Sequence, residues 1–160
     1  MIRVFLLLGS NEGNRKGYLE KARFEIGLQG GLCFITSSIY QTAAWGKEDQ
    51  AAFLNQVIGI ETELRAEDLL KTLLNIEAKI GRTRTEKWGS RIIDIDILFY
   101  GNKIIKTGDL VVPHPRIQER RFTLVPLSDV APDLIHPVLQ KNVSQLLEEC
   151  SDELEVRLFR

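Results

Sequence analysis

The sequence is poor in the residues that build covalent or metal-based scaffolds. Its 160 residues include two cysteines, Cys33 and Cys150, and two histidines. Two cysteines so far apart match neither a disulfide-rich framework nor the paired spacing of a zinc site. The sequence therefore predicts a domain that depends on an ordinary hydrophobic core, with free thiols in a reducing, cytoplasmic environment.

Long apolar runs and a strong net charge are also missing. The apolar stretch at residues 2–8 ends at Gly9, well short of the roughly 20 residues of a membrane-spanning helix. The formal net charge is -1, so no overall field attracts nucleic acid or an anionic membrane. We expect small-molecule partners, no nucleic acid and no membrane. A monomer is expected because the chain is long enough to bury its own core.

The usual nucleotide-binding loops are absent as well. The turn Gly9-Ser10-Asn11-Glu12-Gly13 lacks the Gly-Lys-Ser/Thr end of a P-loop and the glycine spacing of a dinucleotide-binding fold. It matches an ordinary turn between a strand and a helix. The chain also has no internal repeat and no linker rich in proline or serine, so residues 1–160 are predicted to form a single domain.

Hydrophobic periodicity predicts a mixed fold of strands and helices. Strands are predicted at residues 2–8, 33–40, 54–64 and 92–100, and helices at residues 14–29 and 66–80. A hairpin arm at 103–106, a short helix at 143–149 and a strand at 154–158 are also expected. The prolines after Thr107 predict an otherwise irregular C-terminal extension. The order indicates an α+β, ferredoxin-like β-α-β-β-α-β sandwich, in which helices pack on an antiparallel sheet.

The strand predicted at residues 92–100 carries two acidic residues among isoleucines. Strand geometry places Asp94 and Asp96 on one face and the neighbouring isoleucines on the other. Side chains two residues apart on a strand are roughly 6.5–7 Å apart, a span that two divalent cations and a bridging phosphate can occupy. Mg²⁺ prefers carboxylate oxygens together with substrate phosphates. The residues alone leave two interpretations open, a metal and nucleotide site or the solvated acidic face of an edge strand.

Two basic segments flank this strand in sequence. Residues 82–91 contain four Lys or Arg and one Glu, and residues 114–122 contain three Arg and one Glu. Arginine forks match phosphate oxygens and offset the negative charge of a transferring group. Trp88 and Phe122 lie among these cations and suit stacking on a flat ring. Either segment taken alone fits a solvated loop, and either aromatic fits a core. Together with the acidic pair they favour a nucleotide site with a flat co-substrate.

These motifs resemble the 6-hydroxymethyl-7,8-dihydropterin pyrophosphokinases of folate biosynthesis. The most specific run is Gly81-Arg82-Thr83-Arg84, then Lys87-Trp88-Gly89-Ser90-Arg91, then Asp94-Ile95-Asp96-Ile97. The other matching motifs are Leu8-Gly9-Ser10-Asn11, Tyr40-Gln41-Thr42, Gly46, Asp49-Gln50, Phe53-Leu54-Asn55, Glu77, Val112-Pro113-His114-Pro115, Arg120-Arg121-Phe122, Pro126-Leu127 and Ala131-Pro132-Asp133-Leu134. They occur in order at consistent spacing over residues 2–137, and no motif is recognised beyond them.

The resemblance implies transfer of pyrophosphate from ATP to the hydroxymethyl oxygen of the pterin, which leaves AMP. Asp94 and Asp96 would bind two Mg²⁺ ions, and Arg82 and Arg91 would clamp the phosphates as the other catalytic residues. The residues implied to contact ATP are Glu77, Arg84, Lys87, Ile97, Val111, Pro113, His114 and Arg120. Those implied to contact the pterin are Thr42, Ala43, Ala44, Trp45, Phe53, Asn55, Trp88 and Phe122. Trp88 and Phe122 would stack on its two faces.

Five positions depart from the best-known form of the family pattern. Ala43 and Ala44 stand where a proline pair is common, and Phe53 stands where some members have tyrosine. Leu74 stands where a polar adenine contact is expected. Lys87 replaces an arginine, which exchanges a planar fork for a point charge. Because none of these changes touches the acidic pair, they bear on binding details and leave the reaction class unchanged.

Two alternatives without catalysis share the predicted order of elements. An RNA-recognition module needs exposed aromatic residues on its central strands and usually a basic sheet. Here the first strand is aliphatic apart from Phe5, and the fourth carries two aspartates. A regulatory domain that binds a small ligand has no need for paired aspartates beside two arginine-rich segments. Release of AMP from ATP that depends on Mg²⁺ and the pterin distinguishes the enzyme from both.

Overall fold

The fold is built on an antiparallel sheet with helices on both of its faces. The computed structural model describes residues 1–43, 51–81 and 92–160. The strands are β1 (Ile2–Ser10), β2 (Leu32–Thr36), β3 (Tyr40–Thr42), β4 (Phe53–Thr62), β5 (Asp94–Tyr100), β6 (Ile105–Lys106), β7 (Val111–Val112) and β8 (Val156–Leu158). The helices are α1 (Arg15–Gln29), α2 (Ala66–Ile80), α3 (Arg121–Val130) and α4 (Val143–Glu149), with a 3₁₀ turn at Ile117–Glu119.

The strands of the main sheet follow the order β5-β1-β4-β3-β8, and β2 also pairs with β4. All of these pairs are antiparallel. β2 pairs with one half of β4 and β3 pairs with the other half, so that Leu32 is opposite Glu61 and Tyr40 is opposite Asn55. This topology confirms the predicted α+β sandwich with the β-α-β-β-α-β order.

The single strand predicted at residues 33–40 is divided into β2 and β3. Ser37 lies at the break, where its N–H donates to the Val57 carbonyl and its hydroxyl oxygen accepts from the Val57 N–H. The Ser37 hydroxyl also donates to the carbonyl of Ser38 at 2.7 Å. Such local side-chain bonds compete with regular strand pairing, which explains the interruption.

Two apolar cores cover the two faces of the sheet. The first core packs α1 and α2, through Leu19 and Leu73, against β1 and β4 residues such as Leu6. The second packs α3 and α4, through Leu124, against the opposite face at Phe5. Because alternate residues of β1 enter different cores, the strand is a continuous apolar run of the kind found in sheets buried on both faces.

The first two helices begin and end close to the predicted residues. The Asn14 side chain accepts from the Gly17 N–H and caps α1. α2 ends at Gly81, whose φ of 116° lies in the left-handed region that favours glycine. None of the helices in the described ranges is long and apolar enough to cross a membrane.

The region after Thr107 is more regular than predicted. β6 pairs with β7 in a two-stranded ribbon, and α3 forms although Pro126 lies inside it. Proline removes one helical hydrogen bond, but Leu124 and Leu127 are fully buried in the second core. The burial of these leucines outweighs the missing hydrogen bond, so a helix forms. The prediction of an irregular segment here was therefore wrong. α4 has the predicted bounds, and β8 lies inside the predicted strand.

Neighbouring leucines on α2 test how this helix packs. Leu73 is 1% exposed and Leu74 is 41% exposed. We expect Leu73→Ala to lower the free energy of unfolding by about 2–5 kcal/mol, because it opens a cavity in the first core. Leu74→Ala should change it by less than about 1 kcal/mol. Urea denaturation followed by circular dichroism measures both, and equal losses would contradict the observed orientation of α2.

Candidate active site

The acidic pair lies on β5, at one end of the strand order, on the face covered by α3 and α4. Asp94 is opposite Gly9 and Asp96 is opposite Leu7 of β1. Both aspartates are half-buried, whereas Ile95 between them is buried in the first core. The alternation that the sequence predicts for this strand is therefore confirmed.

A β-bulge follows the acidic pair. The pairing between β5 and β1 shifts between Phe5 and Leu6, which leaves Leu98 as an extra residue on β5. The Leu98 carbonyl accepts a hydrogen bond from the His114 N–H at 2.9 Å. The bulge therefore anchors the segment after β7 to the strand that carries the aspartates.

His114 is held as a neutral hydrogen-bonding group. Burial lowers the pKa of His114 to about 4, with help from the Arg120 charge and against the opposing effect of Asp94. Its Nδ1 accepts from the Arg116 N–H at 3.1 Å. In the neutral ring, Nε2 then carries the proton and is the atom that can donate to a ligand.

Arg120 brings positive charge to the acidic face. Burial lowers the pKa of its guanidinium, while Asp96 and Asp94 act in the opposite direction. The Arg120 Cζ atom lies 5.4 Å from the centre of the Phe122 ring. This is a cation–π distance, so the ring of one predicted pterin contact supports the charge of one predicted ATP contact.

A second group of predicted residues lies across the same face. Asn55 on β4 is opposite Gly9, which is itself opposite Asp94, so the three residues form a row across three strands. Two strand spacings place the backbone of Asn55 roughly 10 Å from that of Asp94. A Cβ at Gly9 would lie 2.9 Å from Asn55 Nδ2 and 3.7 Å from Phe53 Cδ1. Glycine is therefore required for the Asn55 amide to lie so close to β1.

Two buried polar residues at this end of the row have atoms without partners. Thr42 is 2% exposed and Asn55 is 3% exposed. Their Oγ1 and Oδ1 atoms have no hydrogen-bond partner among residues 1–43, 51–81 and 92–160. An unsatisfied buried polar atom costs about 1–3 kcal/mol. Two such atoms on one face are available to hydrogen-bond a ligand with polar edges.

Glu77 has a structural contact that the sequence analysis missed. Its buried carboxylate accepts a hydrogen bond from the Ile95 N–H at 2.7 Å. Ile95 lies between the two aspartates on β5, which is at one end of the strand order, and the outward N–H groups of β5 have no β partner among the residues that the structure describes. Glu77 thus fixes the strand that carries the acidic pair. An acid four residues after Leu73 on the apolar face of α2 was the available signal.

The other predicted contacts are spread around this face. Ile97 is buried in the first core, on the side opposite the aspartates. Val111 is exposed and Pro113 is buried, just before His114. Phe53 is half-buried and Ala43 is exposed at the end of β3. The predicted site residues outside the described ranges are Arg82, Arg84, Lys87, Trp88, Arg91, Ala44 and Trp45.

The acidic pair fits a cation that shares its coordination with substrate. Among the residues that the structure describes, no three His, Cys, Asp or Glu side chains form a metal-binding group. Asp94 and Asp96 therefore supply two carboxylates in this region and leave other coordination positions to phosphate and water. Mg²⁺ typically binds in this way in nucleotide sites.

A pair of carboxylates beside a half-buried arginine, on one face of an α+β sandwich, is the arrangement typical of phosphate-binding sites. The family model of 7,8-dihydro-6-hydroxymethylpterin-pyrophosphokinase (HPPK) matches residues 5–132. The chain belongs to this family, as the resemblance predicts.

Individual relatives agree with this assignment. The 2-amino-4-hydroxy-6-hydroxymethyldihydropteridine pyrophosphokinase of Methylorubrum extorquens is 43% identical over 136 residues, which cover 84% of this chain and 86% of that protein. The folic acid synthesis protein fol1 of Pneumocystis carinii is 40% identical over 149 residues, which cover 93% of this chain and 20% of that protein.

A solved structure shares the fold. Wild-type HPPK-DHPS of Plasmodium falciparum, determined with pteroate, has a TM-score of 0.74 at 16% identity. The match covers 92% of this chain and 42% of that chain. This chain therefore spans less than half of the HPPK-DHPS protein and a fifth of the fungal one, but most of the bacterial relative.

The contact between Glu77 and Ile95 can be tested at the amide itself. We expect Glu77→Ala to lower the free energy of unfolding by about 1–3 kcal/mol and to speed hydrogen exchange at the Ile95 amide, because a buried bond is lost. Glu77→Gln retains an acceptor oxygen and should have a smaller effect. Glu67→Ala, which removes an exposed acid from the same helix, is the control. Unchanged exchange in Glu77→Ala, measured by NMR, would contradict the contact.

Proposed function

We propose that this chain transfers pyrophosphate from ATP to the hydroxymethyl oxygen of 6-hydroxymethyl-7,8-dihydropterin, giving AMP and the pterin diphosphate. Family membership supports the reaction. The observation that carries it is the row Asp94, Gly9 and Asn55, which would join the proposed phosphate site to the proposed pterin pocket on one face. The chain would act as a single domain and a monomer on these two small molecules.

Asp94 and Asp96 are the proposed ligands of two Mg²⁺ ions. Bound Mg²⁺ would neutralise phosphate charge and orient the triphosphate for displacement at the β-phosphorus. Arg120 would bind phosphate oxygens, and His114 would donate a hydrogen bond from Nε2. A neutral histidine suits this role because it adds a donor without a further charge beside the half-buried Arg120.

The pterin would occupy the other end of the row. Phe122 would stack on one face of its ring, while Asn55 and Thr42 would pair the oxygens that have no partner in the described part of the chain with polar groups on its edge. Phe53, packed near Gly9, would line the pocket. The proposal also includes residues outside the described ranges, which were identified from the sequence: Arg82 and Arg91 as phosphate clamps, Arg84, Lys87, Trp88, Ala44 and Trp45.

The alternative of an RNA-recognition module receives no support from the sheet. In such modules the bases stack on aromatic residues of an open sheet face. Here α1 and α2 cover one face, and α3 and α4 pack on the other through Leu124 and Val143. The central strand β1 buries Val4 to Ser10 and presents no aromatic platform.

Isotopic labelling tests the reaction and its point of attack. With Mg²⁺ and the pterin, label from both β-³²P and γ-³²P ATP should appear in the pterin product, with one AMP formed for each product molecule. Transfer of the γ label alone would indicate single phosphoryl transfer. Formation of AMP at the same rate without the pterin, or no AMP with it, would overturn the proposal.

Substitution of one aspartate tests the proposed metal site. We expect Asp96→Asn to reduce turnover by at least about 100-fold, because removal of a charge-stabilising group at a reacting centre has effects of this size. The unfolding midpoint should stay close to that of the wild type. Asp109→Asn, which alters an exposed aspartate outside the site, should retain full activity. Wild-type turnover by Asp96→Asn would exclude Asp96 as an essential ligand.

A further inference from the structure

The C-terminal segment, residues 152–159, lies beyond the part of the chain that the family model matches. It forms β8, which pairs with β3 so that Val156 is opposite Thr42 and Leu158 is opposite Tyr40. The Phe159 N–H donates to the Ile39 carbonyl at 2.9 Å. β3 has three residues, and pairing on both sides holds a strand that would be marginal with one neighbour.

The same segment also holds the beginning of α3. The Asp152 Oδ2 atom accepts from the Arg121 N–H at 3.0 Å, and Oδ1 accepts from the Leu154 N–H at 3.0 Å. Arg121 is the first residue of α3, and the residue before it, Arg120, makes no side-chain cap. An acidic acceptor at this point satisfies a free helical N–H and complements the helix dipole.

The contacts of β8 and of Asp152 support two different sides of the candidate pocket. β8 supports Thr42, whose buried hydroxyl has no partner in the described ranges. Asp152 supports the first turn of α3, where Phe122 follows Arg121 directly. Arg120 is bonded to that turn through its carbonyl, which accepts from the Thr123 and Leu124 N–H groups, but it also has a backbone contact outside the helix, because its N–H donates to the Ile117 carbonyl at 3.3 Å. Loss of the Asp152 contact should therefore loosen Phe122 more than Arg120.

We propose that Asp152 is a positioning residue for the pterin pocket, acting through the Arg121 N–H to fix the first turn of α3. This inference rests on the proposed function, since it takes Phe122 as a pterin contact. A side chain 31 residues away in sequence thus supplies the cap that α3 lacks locally. It gives the segment beyond the matched region a role in substrate recognition.

The experiment compares Michaelis constants for the two substrates. Asp152→Ala should raise the KM for the pterin by up to roughly tenfold, because binding must then order a first turn of α3 that has lost the stability of about one helix cap. The KM for ATP should change less than about twofold, because Arg120 keeps its own backbone bond. Asp152→Asn should recover most of the pterin affinity, since asparagine caps as well as aspartate.

Two variants control for stability and for charge. Asn142→Ala removes the cap of α4, where the side chain accepts from the Gln145 N–H. It should lower stability by a similar amount and leave the pterin KM unchanged. Glu153→Ala removes the adjacent exposed acid and should also leave it unchanged. A rise in pterin KM in Asn142→Ala equal to that in Asp152→Ala would reveal a merely structural role and overturn the proposal.

The outcomes separate this inference from the proposed function. No AMP release by the wild type in the presence of the pterin would refute the function and the inference together. An active wild type with an unchanged pterin KM in Asp152→Ala would refute the inference alone. If Asp152→Ala does not fold, Asp152→Glu keeps the charge and moves the carboxylate by one methylene. It should raise the pterin KM selectively, and a wild-type value would overturn the proposal.

Discussion

Burial of β1 on both faces is the constraint on which the rest of the structure depends. Its alternate side chains enter two separate cores, so the strand has no room for charged or catalytic groups between Val4 and Ser10. The proposed functional groups therefore lie on its neighbours, with the aspartates on β5 and Asn55 on β4. Gly9 completes this division of roles, because its missing side chain leaves space between them.

The charged groups around this face are held by contacts to backbone atoms. The Glu77 carboxylate fixes the Ile95 N–H from the side of α2, and the Leu98 carbonyl at the bulge fixes His114. Arg120 and the aspartates lie close enough for their opposite charges to act on one another under partial burial. Contacts of this kind hold polar groups in place before a ligand binds. Less reorganisation is then needed when charge develops in a transition state.

Local sequence patterns predicted most of the helices and strands of the fold. The alternation of β5, the bounds of α2 and α4 and the presence of β8 follow from periodicity and capping within a few residues. The break at Ser37 and the helix around Pro126 do not, because contacts with β4 and the second core override local preference there. Glu77 with Ile95, and Asp152 with Arg121, join positions 18 and 31 residues apart. Periodicity carries no information about such pairs.

The oxygens of Thr42 and Asn55 that have no partner in the described ranges bear on how selective the proposed pocket can be. A flat aromatic compound without polar edges would fill the space but would remove both oxygens from water without giving them a hydrogen-bond partner. Such a compound would therefore bind weakly despite its shape. Sites built to hydrogen-bond a substrate can reject analogues that lack the partner by about 10⁴-fold or more. Inhibitors of this chain should therefore be chosen by the donors on their ring edge before their stacking area.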